Sequence, residues 1–537
     1  MKARGIAATA LAAAVAAACL RESMPFAALA FGGCDGTRPV MKARLAVERF
    51  VPRGERVTFL RNDMPNDPSQ VCRSICLSLA WAAGAGNVDE KRSLDGLERY
   101  VYVAPVAIDP EELAKNPKYR KLGDGASGRI WVREGAPAKP PEDGGREMRD
   151  AGIAAVARDR GRSLREALEL VPPLLVACAL LAVGLGRAPS AASVACAVAV
   201  FSLNALFALS HSFTGPCGTG VFGGRAKALV ESGWNLATLA DPGLGEYFQC
   251  AYPPLQALVT AAGYALSGAC GDWLAQAGPP IYLASAFLAM DGMRCDGRGA
   301  PGFATARRML LFAACATEPM VHAAGNFCAE PLAMLAAACG WAAVRRGSAC
   351  GWVAIGLAAF AKNEAVFYVP AVAAAEAAAG RFRFRMREAA ALGCGLAPAV
   401  LWHIGCRFAG ASLYDYAAPW QCDPARAFAA VRALVHEIAF HPWRYAFIGV
   451  AMACAVRARR ADGEGGAGAA LRKALAPLAF FAVCAAGICF AFSLSRSPDF
   501  AWHLSCMPRL LAPVAALALA ISTAPRETVC ACNAPAG

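Results

Sequence analysis

Charged side chains are scarce in this sequence. Only 17% of the 537 residues are Asp, Glu, Lys or Arg, whereas 57% are apolar. The apolar residues lie in blocks separated by short Arg-rich or Gly/Pro-rich stretches, which is rare in water-soluble proteins. Because lipid offers no hydrogen-bond partners to the backbone, each block is expected to form a helix. The composition therefore predicts an all-α polytopic membrane bundle.

The sequence also lacks cysteine pairs with the spacing of a zinc site. It has 23 cysteines, but Cys72 and Cys76 are four residues apart, and Cys530 and Cys532 are two apart in the C-terminal tail. Most of the others, such as Cys315, Cys339 and Cys484, lie inside apolar blocks and are expected to act as small packing residues. We expect no cofactor and no cysteine-based metal centre, and a divalent cation held by acidic loops remains open.

Aromatic residues do not alternate with the basic ones, so the formal net charge of +13 does not indicate nucleic-acid binding. The arginines instead form short clusters between apolar blocks, as in cytoplasmic loops under the positive-inside rule. The expected anionic neighbours are lipid headgroups. The clusters are Arg187, Arg307 with Arg308, Arg345 with Arg346, residues 381–387, residues 457–460, and Arg472 with Lys473.

The N-terminal part is more polar than the rest of the chain. Residues 1–20 contain Lys2 and Arg4 before a short apolar run, which is typical of either a signal peptide or an anchoring helix, and both would export the segment after it. Residues 21–135 are predicted to form a small extracytoplasmic α/β domain, with strands near 56–60, 100–108 and 129–133. Residues 136–167, rich in Pro and Gly at their start, are predicted to be a linker.

Residues 168–524 are predicted to form the membrane domain of about 11–13 transmembrane helices, followed by a cytoplasmic tail at 525–537. The blocks 168–186 and 191–210 form a hairpin with Arg187 in its cytoplasmic turn. Alternation of the later blocks requires 253–269 to be a short membrane-surface or re-entrant helix. With that adjustment, four polar segments share the outer face of the plasma membrane and indicate one extracytoplasmic site. These segments are 211–252, 317–331, 362–364 and 493–509.

Several short motifs occur in a defined order along this domain. They are Arg225-Ala-Lys-Ala-Leu229, Asp241-Pro242, Tyr252-Pro-Pro-Leu255, Ala329-Glu-Pro-Leu332, Ala361-Lys-Asn-Glu364, and Trp502-His503 with Arg509-Leu-Leu511. Together they resemble the bacterial membrane glycosyltransferases of the C superfamily, related to the protein mannosyltransferases and the aminoarabinose transferases of lipid A. The resemblance spans residues 168–524.

The resemblance implies a transferase that takes a sugar from a polyprenyl-phosphate carrier and passes it to an envelope lipid, glycan or protein. Such a reaction needs a carboxylate to deprotonate the acceptor hydroxyl and cations to stabilise the departing phosphate. The catalytic candidates are Asp241 and Glu330, with Glu231 and Glu246 behind them. The candidates for binding the donor phosphate are Arg225, Lys227, Lys362, His503 and Arg509.

One position departs from the family pattern. The family's first outer loop usually begins with a Trp-Asp pair, and counting back from Arg225 places Pro216 and Cys217 there. Either another carboxylate replaces the missing acid, or the chain keeps the fold without catalysis.

Other interpretations of the same residues stay open. The chain could be a transporter or flippase of lipid-linked substrates, or a catalytically degenerate scaffold. Asp241 could cap a turn, Glu330 could interact with a helix dipole, and Lys362 could pair with Glu364. His322, His403 and His503 are more typical of hydrogen-bonded histidines than of metal ligands. Glu376 lies in an alanine-rich stretch and is expected to point into the bundle.

Overall fold

The computed structural model describes residues 9–22, isolated stretches between 51 and 134, and most of the chain from 166 to 522. The larger gaps after residue 166 are 210–216, 241–251, 294–300, 412–420, 451–465 and 496–499. The described residues are mostly helical, as predicted from the composition.

The helices are numbered in chain order. They are α1 (9–22), α2 (Val171–Gly184), α3 (Ala191–Ala208), α4 (Gly223–Glu231), α5 (Leu255–Ser267), α6 (Gly278–Gly292), α7 (Pro301–Cys315), α8 (Glu318–Gly325), α9 (Glu330–Arg345), α10 (Cys350–Ala361), α11 (Tyr368–Ala378), α12 (Met386–Phe408), α13 (Pro424–Phe440), α14 (Gly466–Leu494), α15 (Phe500–Ser505) and α16 (Met507–Ser522).

Among the residues that the structure describes, four segments are long and apolar enough to cross a membrane, judged by length and composition. A fifth candidate is the pair α8 and α9, which is bent by 111° at a short break. These apolar helices indicate a membrane-embedded protein, and the total of about 11–13 spans remains a prediction. The four are Glu166–Gly184, which includes α2, then α3, α12 and Leu475–Leu494 within α14.

Five short strands form one sheet in the N-terminal part, in the order β2-β1-β3-β5-β4. Strand β1 is parallel to β2 and β3, whereas β5 is antiparallel to β3 and β4. Strands β1, β3 and β5 lie at the three predicted positions, and β2 and β4 were not predicted. The helices expected between them lie outside the described residues, so the α/β class of this segment stays a prediction. The strands are β1 (Val57–Leu60), β2 (Val88–Lys91), β3 (Tyr100–Val103), β4 (Tyr119–Lys121) and β5 (Ile130–Arg133).

Small residues allow α9, α10 and α12 to pack with their backbones close together. A Cβ atom added at Gly340 of α9 would lie 2.6 Å from the carbonyl oxygen of Gly351 in α10. One added at Gly395 of α12 would lie 2.3 Å from the carbonyl oxygen of Val353. Such small-residue contacts are typical of membrane helices, where close packing replaces the hydrophobic effect between helices. Cys339 of α9 packs against Gly184 in the same way, as expected for a packing cysteine.

Helix α5 occupies the range predicted for a short surface or re-entrant helix. Its 13 residues rise about 20 Å, less than the hydrocarbon thickness. Ser267 at its end lies beside Glu169, which directly precedes α2, and Gln256 at its start donates to the carbonyl oxygen of Phe327. The helix therefore packs against the ends of other elements.

Two ionisable side chains, Glu376 and Arg307, are buried in the bundle. Glu376 accepts a hydrogen bond from Trp341 Nε1 at 2.8 Å and pairs with Arg381 at 3.0 Å, so its predicted inward orientation is confirmed. Arg307 differs from the prediction, because it was expected in a solvated loop. It is buried in the middle of α7, pairs with Asp291 at 3.7 Å and donates to the carbonyl oxygens of Met290 and Ala520.

Candidate functional site

Three charged residues far apart in the chain meet at one buried point. Glu330 is the first residue of α9, where Pro331 is tolerated because the first helical amide groups need no partner inside the helix. Lys362 follows α10, at a residue with extended φ and ψ of −151° and 132° that ends this helix. Arg509 lies in the first turn of α16. We call Glu330, Lys362 and Arg509 the charged cluster.

A single carboxylate oxygen joins the two cations of the charged cluster. Glu330 Oε1 lies 3.1 Å from Lys362 Nζ and 2.8 Å from Arg509 Nε. The Glu330 side chain is only 3% exposed and that of Lys362 only 6%. The other oxygen of Glu330, Oε2, is buried without a hydrogen-bond partner in the described part of the chain. The cluster thus has two positive charges, one negative charge and an unused acceptor.

The environment of Lys362 keeps its ammonium group charged. Burial alone would lower the pKa of this lysine, but the neighbouring carboxylates Glu330 and Glu364 outweigh burial and hold the pKa above its usual value. A buried cation is costly unless it is paired. Glu364 supplies a second carboxylate beside Lys362, so the charge of this lysine does not depend on Glu330 alone.

Arg225 contacts residues that surround the charged cluster. Its Nη1 donates to the carbonyl oxygen of Tyr252 at 2.8 Å, and its guanidinium carbon lies 5.2 Å from the ring centroid of Trp402. The Tyr252 ring in turn lies 5.1 Å from Lys362 Nζ, a cation–π distance. Arg225 thus connects the Tyr252 segment to α12 and places an aromatic face against Lys362.

Two thiols complete the surroundings of Arg509. Its Nη1 lies 3.4 Å from Cys328 Sγ. The neighbouring Cys328 thiol and the positive charges of Arg509 and Lys362 lower the pKa of Cys217, and burial opposes them. Cys217, at the position where the resemblance leads us to expect an acid, therefore lies beside the charged cluster.

Each of the four polar segments predicted on the outer face contributes a residue to this one place. Tyr252 comes from 211–252, Glu330 from 317–331, Lys362 from 362–364 and Arg509 from 493–509. Their meeting is a property of the tertiary structure, since 257 positions separate the first residue from the last (509 − 252).

The remaining candidates lie apart from the cluster or outside the described residues. Lys227 pairs with Glu231 one turn along α4, at 3.9 Å. Asp241, Glu246 and the side chain of His503 lie outside the described residues. Within the described ranges, no group of three His, Cys, Asp or Glu side chains is arranged to hold a metal ion.

A small cavity adjoins the charged cluster on the side of α14 and α16. It has a volume of about 20 Å³, enough for one water molecule. Its walls include the charged side chains of Glu330, Lys362 and Glu364, together with Cys484 and Pro513. A sugar phosphate is much larger, so binding one here would require the surrounding segments to move apart.

Sequence reasoning missed Cys328, although it lies only two residues before Glu330. It also missed a second buried ion cluster around Arg444, which follows α13. This arginine pairs with Glu437 at 2.7 Å, with Glu22 of α1 at 2.9 Å and with Glu318 of α8 at 3.1 Å. His441 lies 3.1 Å from Glu22. Glu437, His441 and Arg444 are close in sequence, but no local pattern indicates that Glu22 and Glu318 of distant helices join them.

Comparisons with protein-family models, with curated proteins and with solved structures found no match for this chain.

Proposed function

We propose that this protein is a membrane glycosyltransferase that moves a sugar from a polyprenyl-phosphate carrier to an envelope lipid, glycan or protein. Transfer takes place on the outer side of the plasma membrane. The observation that supports this most is the charged cluster, in which buried Lys362 and partly buried Arg509 share one carboxylate oxygen. Fixed positive charge in a low-dielectric setting is what a departing phosphate requires.

In this proposal Lys362 and Arg509 bind the phosphate of the carrier. Their side chains are held in place by Glu330, so little reorganisation is needed when charge develops on the leaving group. Arg225 contributes indirectly, since it positions the Tyr252 segment over Lys362.

The carboxylate that deprotonates the acceptor hydroxyl is Asp241 or Glu330. Glu330 has a free acceptor atom, Oε2, but its other oxygen faces two cations, which weakens it as a base. Asp241 belongs to the same outer segment as Tyr252 in the predicted topology. Asp241 and Glu330 are therefore alternative candidates for the base. Glu330 also orients the two cations.

The apolar carrier chain would lie along the lipid-facing side of α12. Leu401 is 66% exposed and Phe408 is 89% exposed on this helix, close in sequence to Trp402, which stacks with Arg225. Apolar side chains exposed in this way suit contact with lipid tails.

The proposal is tested by mass spectrometry of membrane glycolipids and envelope glycans from cells with and without the gene. We expect one hexose- or pentose-modified species to disappear, and a copy of the gene to restore it. If the profiles are identical, the proposal is wrong. If a lipid-linked sugar accumulates on the inner leaflet while the purified protein performs no transfer, the protein is a transporter instead.

A catalytically degenerate scaffold is the second candidate. One observation in its favour is Cys217 at the position of the expected acid. Another is the small size of the cavity beside the charged cluster, about 20 Å³, which admits one water molecule. In that case deletion would change glycosylation only through partner proteins, and the purified chain would remain inactive with every donor.

A further inference from the structure

An open groove lies at the end of α2 and the turn that follows it, far from the charged cluster. Its volume is about 390 Å³, against about 20 Å³ for the cavity beside the charged cluster. Its wall on α2 is apolar and includes Cys178, Leu181 and Ala182, and it continues through Leu185 to Arg187. None of the described residues that line it is acidic. The groove therefore has an apolar wall and a positively charged end.

Arg346 brings a second guanidinium group to the same end of the groove. It follows α9 and donates to the carbonyl oxygens of Val183 and Gly184, each at 2.6 Å. A Cβ atom added at Gly186, in the groove wall, would lie 3.7 Å from the guanidinium carbon of Arg346. These two hydrogen bonds offset the negative end of the α2 dipole. An arginine has five N–H groups, so the exposed Arg346 keeps donors for an anion.

The start of α3 adds to the positive character of this turn. Ser190 caps α3, and the N-terminus of a helix is the positive end of its dipole. Arg308 of α7 donates to Ser190 Oγ at 3.1 Å. The nearby carboxylate of Asp291 is only 3% exposed and pairs with Arg307 and Arg308. An anion at the turn would therefore meet positive groups rather than this carboxylate.

We propose that the groove binds an anionic phospholipid, with an acyl chain along Cys178, Leu181 and Ala182 and the phosphate at Arg187 and Arg346. Helix α2 belongs to a segment long and apolar enough to cross a membrane. It rises about 9 Å from Cys178 to its end, which places the apolar wall at the depth of the acyl chains and the arginines at the level of the headgroups. Guanidinium groups bind phosphate through paired hydrogen bonds, and basic pockets beside membrane helices select acidic headgroups.

The headgroup decides the selectivity of this site. A zwitterionic lipid has an ammonium or choline group that would lie near the two guanidinium groups, whereas an anionic lipid such as phosphatidylglycerol has none. Each arginine is therefore expected to favour the anionic lipid roughly fivefold. The site makes specific the lipid partner expected from the arginine clusters, and it does not depend on the proposed sugar transfer.

Cys178 reports on the groove directly, because it is a free, exposed thiol in the groove wall. Full-length protein, stripped of lipid in a neutral detergent, is alkylated with N-ethylmaleimide, and mass spectrometry follows the rate at each cysteine. We expect dioleoyl phosphatidylglycerol to protect Cys178 at concentrations roughly 25-fold lower than phosphatidylcholine with the same chains. Cys394 of α12 is also free and exposed, and it should react at an unchanged rate.

Two arginine variants test the headgroup contact. Arg187→Gln and Arg346→Gln should each reduce the preference for phosphatidylglycerol roughly fivefold. Arg187 lies in an exposed turn, so its variant keeps the test valid if loss of Arg346 disturbs the end of α2. Arg383→Gln, at an exposed arginine outside the groove, should leave the preference unchanged. Equal protection by the two lipids, equal protection of Cys178 and Cys394, or protection by soluble glycerol 3-phosphate alone would overturn the proposal.

Discussion

At the scale of single residues, two buried carboxylates of the bundle are each held by partners. Glu376 has Trp341 and Arg381, and Glu330 has Lys362 and Arg509. The two cases differ in balance, because the pair Glu376 and Arg381 is neutral, whereas two cations face Glu330. Glu364 lies beside Lys362 as a further carboxylate, so the two cations of the charged cluster have two carboxylates near them.

The first prediction concerns the two cations of the charged cluster and follows from their proposed role at the carrier phosphate. Lys362→Gln and Arg509→Gln should each lower sugar transfer by on the order of 10²-fold, because fixed positive charge at the leaving phosphate is lost. Arg383→Gln is the matched control, since Arg383 is exposed between α11 and α12. Transfer is measured with purified protein, and thermal unfolding checks the fold. Full transfer by both cluster variants would place the phosphate elsewhere.

The second prediction concerns the base. Loss of the carboxylate that deprotonates the acceptor should lower the rate by on the order of 10² to 10⁴. Transfer is therefore measured for Asp241→Asn and Glu330→Gln, which keep shape and remove charge, and for Cys217→Asp. We expect one of the two amide variants to be inactive. Activity that appears only in Cys217→Asp would show a degenerate transferase, and unchanged activity in both amide variants would refute both candidates.

At the scale of elements, helices meet through small residues and through ion pairs between distant segments. Gly340, Gly351 and Gly395 bring α9, α10 and α12 into backbone contact. Glu22, Glu318 and Glu437 join α1, α8 and α13 at Arg444. The small-residue contacts and the ion pairs both fix the relative positions of helices, because the hydrophobic effect between helices is weak in lipid.

The third prediction compares two glycines of α12. A Cβ atom at Gly395 would lie 2.3 Å from the carbonyl oxygen of Val353, whereas one at Gly393 would have nothing within 4 Å. Gly395→Ala should therefore destabilise the protein by about 1–3 kcal/mol through overpacking. Gly393→Ala should be neutral or slightly stabilising, since alanine favours helices. Thermal unfolding in detergent measures both, and equal melting temperatures would contradict the close packing of α10 and α12.

The fourth prediction concerns the attachment of α1. Arg444→Met would leave Glu437, Glu22 and Glu318 without their shared cation, at a cost of about 3–5 kcal/mol. Arg387→Met is the control, because Arg387 is 68% exposed and its pair with Glu388 should be worth about 0–1 kcal/mol. Protease accessibility of α1 reports whether this helix separates from α13. A stability loss no larger than that of the control would show that the Arg444 cluster does not hold α1.

At the scale of the whole molecule, the functional proposal depends on the orientation in the membrane. The arginine clusters are predicted inside under the positive-inside rule, and the segments that supply the charged cluster are predicted outside. In the structure, Arg346 at the far end of α9 donates to the carbonyl oxygens of Val183 and Gly184, at the end of α2. Glu330 begins α9 and Arg345 ends it, so these charges lie at opposite ends of one helix.

The fifth prediction tests this orientation. Single cysteines are placed at residue 384, in the 211–252 segment and in the 317–331 segment, on a background without native cysteines. An impermeant thiol reagent applied to intact cells should label the two segments and leave residue 384 unlabelled until the membrane is opened. Labelling of residue 384 from outside would invert the topology and move the charged cluster to the cytoplasmic face.

Sequence alone was sufficient to predict the membrane class, the short range of α5, the inward orientation of Glu376 and the packing role of several cysteines. These features depend on local composition, because lipid penalises exposed charge and unpaired backbone wherever they occur. The tertiary structure was needed to show that Arg307 is buried, that Arg444 pairs with three carboxylates, and that Cys328 lies beside Arg509. Such contacts join residues that are far apart in the chain. Helix length and polarity do not determine which helix faces meet, because small-residue packing allows many pairings of similar apolar surfaces.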